Sequence, residues 1–242
     1  MSSDDPKAKE SKRKQVRYAV SDDCRLKASI KLRSADAATA AKDWVGTLVD
    51  VSAEGAHIQI SLGAIAYMGD SCVLTLAHSG LKTELRGSLA HYVCSARTSM
   101  CGVKFDFSFS GTDKAYQPFF KAIVASSGLV AGQAGNESAG RHREEYKGPD
   151  VAKLVVWRNE AGAGATILGF EYTIARYTAY LAAVGTDMIK NKESVRFKTA
   201  DGSSSSLMKT QELDARWEFS LAASNLPKTI PPDIRRLLRL TS

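Results

Sequence analysis

The chain has few of the residues that metal and redox sites require. Four cysteines and four histidines occur among its 242 residues, and no two cysteines form a CxxC pair. The histidines show neither HxH nor HxxxH spacing, which would place two of them on one side of a strand or helix. We therefore expect no bound metal, and we interpret the cysteines as reduced structural residues.

Long apolar runs are also missing. No run approaches the roughly 18 residues that cross a bilayer as a helix, and the polar stretch Met1 to Lys7 lacks the apolar segment of a secretory signal. No Ser/His/Asp set or paired-carboxylate pattern is present. The run Gly162 to Thr166 lacks the Gly-Lys-Ser/Thr ending of a phosphate loop, so it predicts a turn. These absences predict a cytoplasmic protein that is not an enzyme and has no cofactor.

The composition is that of a globular protein of one or two domains, with 44% hydrophobic and 24% charged residues. Its net charge of +7 indicates an anionic partner, which could be a nucleotide, a nucleic acid or a membrane surface. Between Lys7 and Arg17, six basic residues accompany one acidic residue, a net charge of +5. We expect residues 1–12 to form a flexible basic tail.

Residues 13–126 carry the pattern of a small β domain followed by a helix. Apolar and polar residues alternate from Leu26 to Arg33, and further short apolar runs are separated by turn residues. About six short strands at this spacing predict a closed antiparallel barrel, because closure removes exposed strand edges. A helix from Thr112 to about Ser126 has an apolar stripe, rich in aromatic residues, that would pack on the barrel.

The second half of the chain is less distinctive. Residues 127–149 are rich in glycine, serine and alanine, which predicts a linker. Residues 150–242 predict a smaller α+β domain, with strands over Val151–Trp157 and Ile167–Ile174 and a helix over Ala175–Lys190. Because this domain carries no chemical motif, we expect it to bind a partner protein.

Two short motifs in the first half fit a nucleotide ligand. Arg13 and Arg17 are four residues apart, and each guanidinium can bind a phosphate through two N–H groups or stack on a purine. In the turn between two apolar runs, Asp50 can accept from the N–H edge of guanine, Ser52 offers a hydroxyl and Gly55 permits close backbone approach. Each motif alone is common, but together they suit a purine nucleotide with more than one phosphate.

In this order, the Arg-x-x-x-Arg pair, the Asp-x-Ser-x-x-Gly turn, a Gly-Val-Lys-Phe strand and a helix resemble the PilZ family of bacterial cyclic di-GMP receptors. The resemblance covers about half of the chain. It implies a six-stranded antiparallel barrel with a C-terminal helix, against whose outer surface the arginine segment wraps the ligand. It assigns Arg13 and Arg17 to the phosphates and guanine faces. Asp50 and Ser52 would read a guanine and its neighbouring phosphodiester, and Gly55 would keep the strand start open.

Four further residues are weaker candidates for the same site: Lys12, Lys14, His57 and Arg97. The two lysines add positive charge beside the arginine pair. In the PilZ family the residue before the first arginine, here Lys12, influences whether one ligand molecule or a stacked pair binds. The sequence does not choose between these two stoichiometries.

The resemblance predicts a receptor that orders its arginine segment on binding cyclic di-GMP and relays the signal through the C-terminal domain. It does not select the output among motility, surface polysaccharide, pili and transcription. The alternative is a nucleic-acid-binding barrel with a basic arm. We consider it less supported because the outward barrel positions lack interleaved aromatic residues. A ligand-blind adaptor of PilZ type is a third interpretation, which the intact motifs disfavour.

Overall fold

A computed structural model of the protein describes residues 15–108, 111–136, 141–162, 164–181, 195–204 and 206–242. The predicted site residues Lys12, Arg13 and Lys14 lie outside these ranges. The strands are β1 (Tyr18–Ala19), β2 (Lys27–Leu32), β3 (Asp43–Ser52), β4 (Gly55–Ser61), β5 (Ser71–His78), β6 (Leu81–Cys94), β7 (Thr98–Phe105), β8 (Val130–Asn136), β9 (His142–Lys147), β10 (Lys153–Arg158), β11 (Ile167–Ile174), β12 (Tyr177–Leu181) and β13 (Arg196–Thr199). The helices are α1 (Ala37–Ala40), α2 (Thr112–Ser127), α3 (Lys209–Ser224) and α4 (Pro232–Thr241).

Strands β2 to β7 form a closed antiparallel barrel. They follow the order β3-β2-β5-β6-β7-β4, and β4 pairs back onto β3 to close it. Alternate residues such as Ile30, Leu74 and Leu85 are fully buried inside. Between β5 and β6, Ser79 and Gly80 both have positive φ, as a two-residue hairpin with the twist of the sheet requires. The six-stranded antiparallel barrel predicted from the sequence is confirmed.

The long strand β3 has two successive partners along one edge. Its first half pairs with β2, where Gly46 lies opposite Ala28. Its second half pairs with β1, where Asp50 lies opposite Ala19. The chain just before Tyr18 therefore runs beside the turn that joins β3 to β4.

Helix α2 lies between the barrel and the rest of the protein, close to its predicted position. Tyr116 and Phe119 are fully buried, and the Tyr116 ring packs edge-on against Phe105 of the barrel with a centroid distance of 4.7 Å. The predicted packing role of this apolar stripe is confirmed. No helix in the described ranges has the length and apolarity needed to cross a bilayer.

Strands β8 to β13 form a second antiparallel sheet in the order β13-β12-β11-β10-β9-β8. Its inner face packs on α3, where Phe170 stacks on Phe219 at a centroid distance of 5.9 Å. The fully buried Arg158 lies under the same face. Its Nη1 donates to Asp233 of α4 at 2.6 Å, and its Nε donates to Glu144 at 2.9 Å.

Two predictions about the second half are wrong. Residues 127–149 are not a linker, because they contain β8 and β9; the small residues that suggested a linker form an edge strand. The predicted helix from Ala175 is replaced at its start by strand β12, and residues 182–190 lie outside the described ranges. Tyr177 and Leu181 are four residues apart, as on a helix face, but Ala179 is buried between them with a period of two.

The barrel and the second sheet share one continuous cluster of buried apolar residues. Trp217 of α3 packs edge-on against Phe119 of α2 at a centroid distance of 4.6 Å, and its Nε1 donates to the carbonyl of His78 at 2.8 Å. At the end of α3, the amide of Asn225 accepts from the backbone N–H of Ser21 at 2.7 Å and donates to Ser126 at 2.9 Å. Helix α3 thus packs residues 150–242 against α2 and the barrel.

We expect Asn225→Ala to lower the free energy of unfolding by about 2 kcal/mol, because it leaves the Ser21 N–H without its acceptor and removes the bond to α2. Urea denaturation followed by circular dichroism measures this loss. The matched control is Asn159→Ala, which removes an exposed asparagine side chain and is expected to change stability by less than about 0.5 kcal/mol. Equal effects of the two substitutions would contradict the bridging role of Asn225.

Candidate functional site

A β-bulge in β3 turns Asp50 to the outside of the barrel. Trp44 and Leu48 point inward, so simple alternation would also point Asp50 inward. The pairing with β4 shifts between Leu48 and Asp50, so that Val51 becomes the buried residue instead. Bulges commonly redirect side chains in this way, and here the bulge brings a carboxylate to the surface.

A second bulge, in β6, exposes a histidine at the same level of the barrel. Leu89 points inward, and the pairing with β7 shifts between Leu89 and His91. Four residues therefore form one row across neighbouring strands, in the order His91, Gly102, His57 and Asp50. A Cβ added to Gly102 would lie 3.1 Å from atoms of both histidines. Glycine at this position therefore lets the two imidazole rings approach, with centroids 6.2 Å apart.

The Arg17 side chain reaches this row from the N-terminal segment. Its Nη1 donates to Asp50 Oδ1 at 2.6 Å and lies 3.2 Å from His57 Nδ1. The same Nδ1 is 3.0 Å from Asp50 Oδ2. A protonated Nδ1 donates to the carboxylate and a bare Nδ1 accepts from Arg17, so the two contacts are alternatives. Asp50 is thus the acceptor that holds Arg17 and His57 together.

The protonation of Asp50 is controlled by these two neighbours. Partial burial alone would raise the pKa of its carboxyl, but the hydrogen bonds and charges of His57 and Arg17 outweigh burial and lower the pKa below its ordinary value. The carboxylate therefore stays ionised at neutral pH. An ionised carboxylate offers acceptors only, which suits it to bind N–H groups.

The turn between β3 and β4 is held from inside the protein. Ser52 is 2% exposed, and its Oγ donates to the carbonyl of Gly55 at 3.3 Å. The buried Tyr116 hydroxyl of α2 donates to the Ser52 carbonyl at 2.7 Å. A Cβ at Gly55 would lie 2.3 Å from the Val103 carbonyl oxygen, so only glycine lets β4 approach β7 this closely.

These elements surround a surface cavity of about 440 Å³, within the range of small-molecule sites. Arginine, lysine and histidine side chains line it together with one glutamate. The lining residues are Gln15, Arg17, Ser52, Glu54, Gly55, His57, Ala90, His91, Gly102, Val103 and Lys104.

The structure brings most of the predicted site residues together. Arg17, Ser52, Gly55 and His57 line the cavity, and Asp50 bonds to two of them. Arg97 does not line it, since it lies in the turn between β6 and β7.

Sequence reasoning missed His91 and Lys104. Lys104 lies next to Gly55 in the strand register, and its side chain is exposed. Both residues occupy outward positions of apolar runs, but only the strand pairing shows that His91 is in register with His57 and Asp50 and that Lys104 is in register with Gly55.

No model of a known protein family matches this chain, and no curated protein matches it significantly. Within the described residues, no group of three or more histidine, cysteine, aspartate or glutamate side chains could hold a metal ion.

The lowered pKa of Asp50 makes its contribution to stability depend on pH. A carboxyl with a lowered folded-state pKa stabilises the fold above its ordinary pKa of 3.8, and this contribution is lost as the pH falls through the lowered value. We expect Asp50→Asn to cost about 1 kcal/mol at pH 7, a small value because the group is partly exposed. The cost should diminish below pH 3.8.

Denaturant unfolding at neutral and acidic pH measures this change, and Asp43→Asn at the exposed start of β3 is the control. If Asp50→Asn lowers the free energy of unfolding equally at every pH, the ion pairs of Asp50 do not contribute to stability.

Proposed function

We propose that this protein is a cyclic di-GMP receptor of the PilZ family and that it binds the ligand in the cavity beside Arg17 and the β3–β4 turn. One observation carries the proposal. Arg17 and Asp50 are separated by 33 positions, yet their side chains meet at 2.6 Å on the outer surface of a six-stranded barrel. The resemblance to the PilZ family calls for this juxtaposition of an arginine segment and an Asp-x-Ser-x-x-Gly turn.

The charges around the cavity suit a dianionic dinucleotide. Arg17 and Lys104 supply fixed positive charge for the phosphates. Asp50 supplies acceptors for the N–H edge of a guanine, and the two imidazoles of His57 and His91 offer flat surfaces beside it. Ser52 and Gly55 line the same cavity, and the guanidinium of Arg13 would take the second phosphate or guanine face.

Binding would exchange contacts that already exist. In the described structure both oxygens of Asp50 are used, one by Arg17 and one by His57. A guanine that binds Asp50 can take the place of Arg17 on the carboxylate, and Arg17 is then available to a phosphate. Asp50 would hold Arg17 close to the site until the ligand binds both side chains, with its guanine on Asp50 and its phosphate on Arg17.

The signal would pass to the C-terminal half through the segment that follows Arg17. The Ser21 N–H is bonded to Asn225, and Asp23 accepts from Arg239 of α4 at 3.0 Å. A shift of the arginine segment on binding would therefore act directly on α3 and α4. We propose that these helices and the second sheet present the surface to a partner protein, that the protein acts in the cytoplasm where the ligand is made, and that it is not an enzyme.

Titration calorimetry with cyclic di-GMP tests the proposal. We expect saturable binding by the wild-type protein and a loss of affinity of about tenfold or more in Arg17→Ala, because a hydrogen bond to a charged group contributes roughly 1.5–3 kcal/mol. Asp50→Ala should lose affinity to a similar extent. Arg97→Ala is the matched control, since it removes an arginine outside the cavity.

The absence of binding by the wild-type protein would overturn the proposal. Equal affinities of the Arg17→Ala and wild-type proteins would show that the ligand binds elsewhere. GMP carries only one guanine and one phosphate, so its much weaker binding would support recognition of the whole dinucleotide.

A further inference from the structure

The face of the second sheet that turns away from α3 is strongly basic. Five cationic residues and two anionic residues lie on this face in strands β9 to β13, as the strand register and the alternation of burial show. The cationic residues are Arg143, Lys147, Lys153, Arg196 and Lys198, and the anionic ones are Glu145 and Glu171.

The two carboxylates neutralise only part of this charge. Glu145 pairs with Arg143, with Lys147 at 3.4 Å and with Lys153 at 3.3 Å, so that three cations share one carboxylate. Glu171 pairs with Lys198 at 3.1 Å. The hydrogen bond from Arg143 is the main cause that lowers the pKa of Glu145 to about 2. The arrangement is therefore charged throughout the neutral pH range with positive charge in excess.

Two aromatic side chains lie among these charges. Trp157 of β10 and Tyr180 of β12 are both partly exposed and line a recess of about 370 Å³. Gly169 of β11 pairs with Trp157 and has no side chain to cover the recess beside the indole, while Glu171 of the same strand pairs with Tyr180. The Lys198 ammonium lies 5.3 Å from the centre of the Tyr180 ring. One strand separates β10 from β12, and the two aromatics are offset by two residues along it, so they lie about 12 Å apart diagonally across the sheet.

We propose that this face of the second sheet binds single-stranded nucleic acid. Single-strand binders combine aromatic residues on which bases stack with basic residues that follow the phosphate backbone. Both features occur here on one open antiparallel sheet, and the recess beside Trp157 can accept a planar base. The aromatic residues missing from the outward positions of the barrel are present on the second sheet.

The chemistry of this face distinguishes nucleic acid from other anionic partners. A lipid surface is bound by protruding apolar residues and flexible basic ones, whereas here the rings line a recess and several basic side chains are held by ion pairs. Duplex DNA has its bases stacked inside the helix and out of reach of Trp157 and Tyr180. The face therefore fits unpaired bases, and it is separate from the cavity beside Arg17.

Fluorescence anisotropy with a labelled oligothymidylate of about 15 nucleotides, within the length that single-strand binding sites cover, tests the proposal on the full chain. We expect binding that weakens steeply as salt is raised. Trp157→Ala and Tyr180→Ala should each reduce affinity by about five- to 100-fold, because each removes a stacking surface. Tyr67→Ala is the matched control, since it removes a tyrosine that is 64% exposed on the barrel.

The intrinsic fluorescence of the protein gives a second readout that does not depend on the alanine variants folding. Trp44 and Trp217 are 8% and 9% exposed, so a stacked base should quench mainly Trp157. Trp157→Phe should retain most of the affinity and lose most of the quenching. Binding that quenches this variant as strongly as the wild-type protein would place the nucleic acid elsewhere.

Three other results would overturn the proposal. They are no binding of the oligonucleotide at low salt, equal affinity for a duplex of the same length, and unchanged affinity in both alanine variants. Binding of anionic vesicles in place of the oligonucleotide would assign the face to a membrane surface. Because cyclic di-GMP is not the probe, none of these results bears on the cavity beside Arg17.

Discussion

The packing of Trp217 between helix α2 and the barrel is the contact on which the arrangement of the two halves depends. Its ring lies against Phe119 while its indole N–H is bonded to the carbonyl of His78, at the end of β5. Helix α2 is thereby buried on two sides, by the barrel and by α3. A barrel without α3 would expose the apolar surface around Phe119 to water, at a cost of about 25 cal/mol per Å².

The closed barrel also determines where a ligand can bind. Its interior is filled by residues such as Ile30, Leu74 and Leu85, so polar groups for recognition must lie on the outside. The two bulges reverse the alternation in β3 and β6 and give this outer surface Asp50 and His91 at one level. The site is therefore a product of two local irregularities in an otherwise regular sheet.

The sequence predicts the barrel well because hairpin turns and alternation are local signals. Arg17, Asp50, Ser52 and Gly55 belong to short motifs, so the sequence could single them out as candidates, and the structure places them close together. His91 could not be found in this way, because its place beside His57 depends on the register of three strands and on a bulge.

Strands β8 and β12 of the second sheet were missed for a related reason, whereas the predicted strand over Ile167–Ile174 is β11. The glycine- and alanine-rich strand β8 has the composition of a linker, and Tyr177 to Leu181 fits helical spacing as well as strand alternation. In both segments, pairing with strands distant in the sequence determines that the chain forms a strand. The juxtaposition of Trp157 and Tyr180 is likewise a property of the sheet and not of any segment.

The bond between Ser21 and Asn225 has a consequence for the order in which the protein forms. The hairpins of the barrel join residues that are close in sequence, so they can form early, while the contacts of Ser21 and Asp23 span 204 and 216 positions. During synthesis the barrel precedes α3 and α4 by many residues. The segment that carries Arg17 can pair with β3 as soon as the barrel forms, but it gains its contacts with α3 and α4 only after these helices have emerged from the ribosome, so the proposed ligand site is completed last.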